Sequence, residues 1–223
     1  MSITGNFITT IRNSEQALEL GKDMGEVAID AILADKFGVD GALKDIPILN
    51  VAVSLYRAGN KVTAYFFAKN MLAFLLEVDK VPAAKRIEFL DKNCANEEGV
   101  ENVGEVALMI LDKIDHPRLA TMLGRAFALL TVGEIIQHEF DIYCHAIKIM
   151  NPYILQQMKQ AYQVRGMIAM DLPAANLLAN YGLIRLETEG VLARVSIGIP
   201  HTLEQNSFGQ KFYDRIIIGR ASY

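Results

Sequence analysis

The thirteen residues Ala64–Leu76, AYFFAKNMLAFLL, carry one charge, Lys69. A stretch this apolar needs an apolar environment on nearly every side. It is too short to cross a bilayer, which takes ~20 residues, and Lys61, Glu77, Asp79 and Lys80 close it off. We therefore expect a central helix over Val62–Val78, buried by other helices. A chain folded around such a helix has to supply further helices with apolar stripes and short links, and the flanking sequence does.

Upstream, Asn13 with Gln16 resembles a capping box, and Leu20, Met24, Val27 and Ala31 then follow at helical steps as far as Gly38. Gly38–Asp45 is turn-rich. Pro47 suits the first turn of a second helix, where its missing N–H costs nothing. Ile48, Val51 and Leu55 form the apolar stripe of that helix, and Gly59 is its stop. Downstream, Pro82 opens a short helix whose expected buried residues are Ile87, Phe89 and Leu90. Ala95–Glu101 reads as a loop or a frayed helix start. Val103, Val106, Ile110 and Ile114 mark a fifth helix. Pro117 opens a sixth with Leu119, Leu123, Ala126, Phe127 and Leu130. A seventh runs from about Glu134 to Met150, with Ile136, Phe140, Tyr143, Ile147 and Met150 as its core stripe. Short connections imply antiparallel neighbours, so residues 1–150 read as a multi-helix bundle.

Residues 151–223 have a different pattern. Asn151-Pro152 starts a helix, and Pro173 starts a short one, AANLLANY, ending at Gly182. Leu183–Glu187 alternates apolar and polar, Thr188-Glu189-Gly190 can turn the chain, and Val191–Ile197 alternates again, which is a hairpin signal. Asn206 caps a last helix with Phe208, Phe212 and Ile216 on one face. The fold class expected is mainly α, a helical bundle with a small C-terminal winged-helix-like α+β module.

Of the 223 residues 52% are hydrophobic and 22% charged, ample material for a core, so disorder is not expected. The net charge is −4. From Asn151 onward seven Lys/Arg face five Asp/Glu, so that part carries +2 and residues 1–150 carry −6. A nucleic-acid binder needs a basic footprint, which the first part lacks. Cys94 and Cys144 sit in no C-x-x-C pair and at no zinc-finger spacing from a histidine, so both read as reduced thiols. Met1–Asn13 holds one basic residue, Arg12, and no apolar run of signal-peptide length. A cytoplasmic protein is the expectation.

Motifs that would carry chemistry are few. His138-Glu-Phe-Asp-Ile misses H-E-x-x-H at its fifth position, Ile142. Glu134, His138, Asp141 and His145 still share one helix face. His138 and His145 lie two turns apart, roughly 10 Å at 1.5 Å per residue, too far to share one ion unaided. His138, Asp141 and His145 are kept as metal-ligand candidates, although the face is also what an amphipathic helix shows to solvent. Cys144 beside His145 is no nucleophile–base pair, because adjacent helix residues diverge. No phosphate-binding glycine loop and no G-x-S-x-G elbow occurs, and no cofactor is implied. In a winged-helix module the helix before the hairpin would read DNA, and it offers only Asn176, Asn180 and Tyr181, with Arg185 and Arg194 on the wing. That is a thin supply for phosphates.

The phrases AYFFAKNMLAFL, LMILDKID, LATMLGRAFALL and IIQHEFDIYCHAI, then NLLANYGLIRLE and NSFGQKF, resemble the abortive-infection-alpha type of bacterial helical proteins. The resemblance covers most of the chain after residue 40. It implies a winged-helix-like tail and a role in phage defence or on a mobile element, and it supplies no catalytic residues. With no convergent polar motif beside a strong apolar pattern, the expected function is that of a non-enzymatic interaction or effector protein, acting through a protein partner or self-association. A winged-helix DNA-binding regulator, a metal-dependent enzyme using the His138 face and a membrane-acting effector using Ala64–Leu76 remain open.

Overall fold

In the computed structural model the apolar run lies within one helix, α3, Lys61–Val78. The structure describes residues 2–13, 46–163, 168–170, 173–187 and 201–220. The expected helix from Asn13 to Gly38, the Gly38–Asp45 connector, the Thr188–Gly190 turn, the Val191–Ile197 strand and Arg194 lie outside the described residues. The protein is mainly helical, and the chain divides into two compact units, residues 1–144 and 145–222.

In the first unit α1 (Ile3–Arg12) and α2 (Leu49–Arg57) precede α3. After it come α4 (Ala83–Asn93) and α5 (Glu97–Val100), which runs through a π-helical stretch, Glu101–Glu105, into α6 (Val106–Lys113). Then follow α7 (Pro117–Thr131) and α8 (Gln137–Ile149), and the division between units falls inside α8. Asn13 ends α1, its N–H donating to the Thr9 and Thr10 carbonyls, and Ser2 caps the start through Gly5 N–H. This short helix passes unnoticed in the sequence because only Ile3, Phe7, Ile8 and Ile11 mark its stripe. Asn96 caps α5 through Gly99 N–H at 2.9 Å, which resolves Ala95–Glu101 into a cap and a helix start.

The core of this unit is a chain of phenylalanines. Phe7 meets Phe74 with ring centroids 5.5 Å apart, Phe74 meets Phe127 at 5.5 Å, and Phe127 meets Phe89 at 5.9 Å and Phe140 at 6.0 Å. The three pairs made by Phe127 are edge-on, the arrangement aromatic quadrupoles favour. They tie α1, α3, α4, α7 and α8 together. α7 approaches α3 so closely that a Cβ on Gly124 would lie 2.5 Å from the Phe74 carbonyl oxygen and 2.9 Å from Glu77 Cβ. Only glycine permits that approach.

Two expectations about burial are corrected. On α4 the fully buried residues are Leu90 and Arg86, while Ile87 is exposed and Phe89 half-buried. Arg86 turns inward because Asp79, at the end of α3, offers a buried carboxylate: Nη1 donates to Oδ1 at 2.7 Å. Ile136 is 65% exposed, because it precedes α8 and its N–H is taken by the Glu139 carboxylate; Ile135 is buried instead.

The second unit holds α9 (Pro152–Gln163), β1 (Ile168–Met170), α10 (Ala175–Asn180), β2 (Arg185–Glu187), β3 (His201–Glu204), α11 (Ser207–Lys211) and a π-helical stretch, Phe212–Ile218. The sheet is antiparallel with order β1-β3-β2, Leu203 opposite both Ile168 and Leu186. β2 thus pairs with His201–Glu204, a tetrapeptide without an alternating apolar run.

A polar knot closes this unit. The Tyr162 hydroxyl donates to the Leu183 carbonyl, Asn206 Nδ2 donates to the Gly182 carbonyl at 2.9 Å, and Asn206 Oδ1 accepts from Gly209 N–H at 2.7 Å. A Cβ on Gly209 would overlap both the Leu183 oxygen and the Tyr162 hydroxyl. Tyr162 also stacks on Tyr213 at 5.3 Å.

Candidate functional site

The sequence-predicted site residues that the structure describes fall on α8, α10 and β2. His138 and His145 are exposed on α8, and Asp141 is half-buried, accepting from Gln137 Nε2 at 2.9 Å. Among the described residues no group of three His, Cys, Asp or Glu stands close enough to hold a metal ion. Asn176 and Asn180 are exposed one turn apart on α10. Arg185 is committed to a surface pair with Glu204 at 3.2 Å. Burial pushes the Cys144 thiol well above the ordinary range, and nearby Asp141 pushes it further. Burial likewise raises Cys94, against the lowering influence of the Arg12 guanidinium.

What the sequence reading did not anticipate is a groove in the first unit. It encloses about 530 Å³ between the start of α1, α2, α3 and α6. Val51 and Leu55 of α2, Phe66 and Phe67 of α3, and Leu108 and Met109 of α6 supply its apolar lining. Phe66 is 47% exposed and Met109 52% exposed. Val51 and Leu55, expected in the core, are only half-buried. The stripe on α2 turns instead through Leu49 and Ala52, both buried.

The helix geometry explains the lining. Thr63, Phe66, Phe67 and Asn70 recur at helical spacing along α3 and so line the groove together. Glu105, Met109 and Asp112 step by four and three, forming one exposed stripe that begins at the end of the π-helical stretch. Scattered apolar side chains are ordinary on a protein surface, whereas several gathered into a concave patch mark a place where something binds.

Asn70 belongs to the lining and is buried. Its Nδ2 donates to the Ile114 carbonyl at 2.6 Å, and its Oδ1 has no hydrogen-bond partner among the described residues. A buried amide oxygen without a donor carries a desolvation cost. The sequence signal for this groove was present, since Phe66-Phe67 and Val51/Leu55 are apolar at helical spacing. Spacing alone does not separate a core stripe from an open one.

Among the described residues no helix is long and apolar enough to cross a membrane. Ala64, Ala68 and most of Met71–Val78 are buried within the unit. Comparison with models of known protein families, with curated proteins and with solved structures finds no match to this chain.

Proposed function

We propose that the protein is a non-enzymatic interaction protein whose helical unit docks a protein partner in the groove between α2, α3 and α6. The observation that carries this reading is the pairing of exposed Phe66 and Met109 across an apolar concavity. The C-terminal unit is read as a winged-helix-like module that serves self-association or partner binding. The sheet order β1-β3-β2 with helices before and after it supports that reading. A cytoplasmic role in defence against phage follows from the abortive-infection-alpha resemblance and stands as part of the proposal.

The test uses the purified full chain, wild type and Phe66→Glu, for light scattering and as bait. A partner or second copy held by the wild type and lost by a folded Phe66→Glu is the expected result. A strict monomer that retains nothing, or retention indifferent to Phe66→Glu, would contradict it.

A DNA-binding regulator is the second reading, favoured by the same sheet order and by exposed Asn176 and Asn180 on the helix before β2. Random duplex DNA at low salt is the probe, since non-specific affinity is greatest there. A shift weakened by Asn176→Ala/Asn180→Ala supports it, and no shift removes it.

A further inference from the structure

We propose that the groove of the first unit selects a basic amphipathic helix, one with an apolar face and two lysines or arginines seven residues apart along its edge. This rests on the docking reading and adds the chemistry of the occupant. The walls are helices, so the concavity runs along α2, α3 and α6, and a helix laid into such a groove buries a stripe at i, i+3, i+4 and i+7. Phe66 and Met109 face that stripe, with Leu55 and Val51 at its side.

The rim of the groove is acidic. Glu105 and Asp112 both line the groove, both are exposed, and among the described residues no lysine or arginine lines it. Among the described residues neither carboxylate takes part in an ion pair. They are seven residues apart, about two turns or roughly 10 Å along the axis. Two cations at the same seven-residue spacing on a guest helix match that span. An acidic guest would place like charges together, and such juxtaposition is what discriminates partners.

The test is a titration of the full chain with a fluorescent synthetic helix carrying leucines on one face and two edge lysines seven residues apart. A twin peptide has glutamates at the two edge positions. The lysine peptide should bind about tenfold or more tightly than its twin at low salt, with the gap closing as salt screens the pairs. Glu105→Gln/Asp112→Asn should erase most of the gap, and Phe66→Ser should weaken both peptides, with circular dichroism confirming that each variant is folded. Equal binding of the two peptides, with Phe66→Ser still weakening both, overturns the charge selection and leaves the docking reading standing. A gap that survives Glu105→Gln/Asp112→Asn reflects the general acidity of residues 1–150 and also overturns the selection. Absence of binding by either peptide, or binding indifferent to Phe66→Ser, overturns both.

Discussion

The two halves of α3 are similarly rich in apolar residues and differ in their surroundings. From Asn70 to Val78 nearly every side chain is buried, including Met71, Leu72, Phe74 and Leu75. From Lys61 to Lys69 only Ala64 and Ala68 are buried, and Phe66 stands 47% exposed. The difference comes from the neighbours. α7 seats itself against Phe74 and Glu77 through Gly124. The outward side of the first half has α2 and α6 at its flanks and an open groove between them. Apolar composition makes burial favourable, but a covering element has to arrive for burial to occur.

Truncation at matched positions sharpens that contrast. Phe74→Ala should cost about 4 kcal/mol, the transfer and cavity cost of a buried aromatic, read as a fall in the urea midpoint. Phe66→Ala, with the same change in chemistry, should stay within about 0.5 kcal/mol of wild type, as surface substitutions do. Equal losses at the two positions would break the contrast.

The charged end of the buried half offers a second test. Arg86 and Asp79 form a buried pair at 2.7 Å. Removing one partner strands the other charge away from water, so Arg86→Met should cost about 3 kcal/mol. Asp79→Leu/Arg86→Met should recover much of that, because an apolar pair leaves no stranded charge. A double variant no more stable than Arg86→Met would show that the pair's role is not electrostatic.

The C-terminal unit differs from both halves of α3, since its closest approach is polar. Burial pushes the Tyr162 hydroxyl up to about 12, against the lowering influence of the Asn206 backbone. The folded value exceeds the ordinary tyrosine value of ~10. The stabilisation is therefore fully present below pH ~10 and is lost as pH rises toward 12. Tyr162→Phe should lose about 1 kcal/mol at neutral pH, the net worth of one hydrogen bond, and should flatten the stability loss between pH 10 and 12. An alkaline profile identical to wild type would place that titration elsewhere.

Local signals in the sequence mark much of the fold. The apolar run, the prolines at 82, 117 and 152, and the Asn151 and Asn206 caps are local signals, and each marks a helix start or a helix found in the structure. α1 escaped notice because its stripe is short and interrupted by Thr9 and Thr10. Arg86 was unreadable because its burial depends on Asp79 across a turn. The groove was unreadable for a broader reason. Val51, Leu55 and Phe66 lie at helical spacing just as Phe74 does, and the sequence does not show that α7 packs on Phe74. His138, Asp141 and His145 share a face in the sequence, and among the described residues no group of three possible ligands stands close enough to hold a metal ion.

An open groove requires that Phe66 reach solvent while α3 remains folded. Thiol labelling of Phe66→Cys in the native protein tests this directly, with buried Cys144 as an internal reference. Position 66 should react at a rate near that of the unfolded chain, while Cys144 reacts only on unfolding. Protection at position 66 equal to that of Cys144 would contradict the groove.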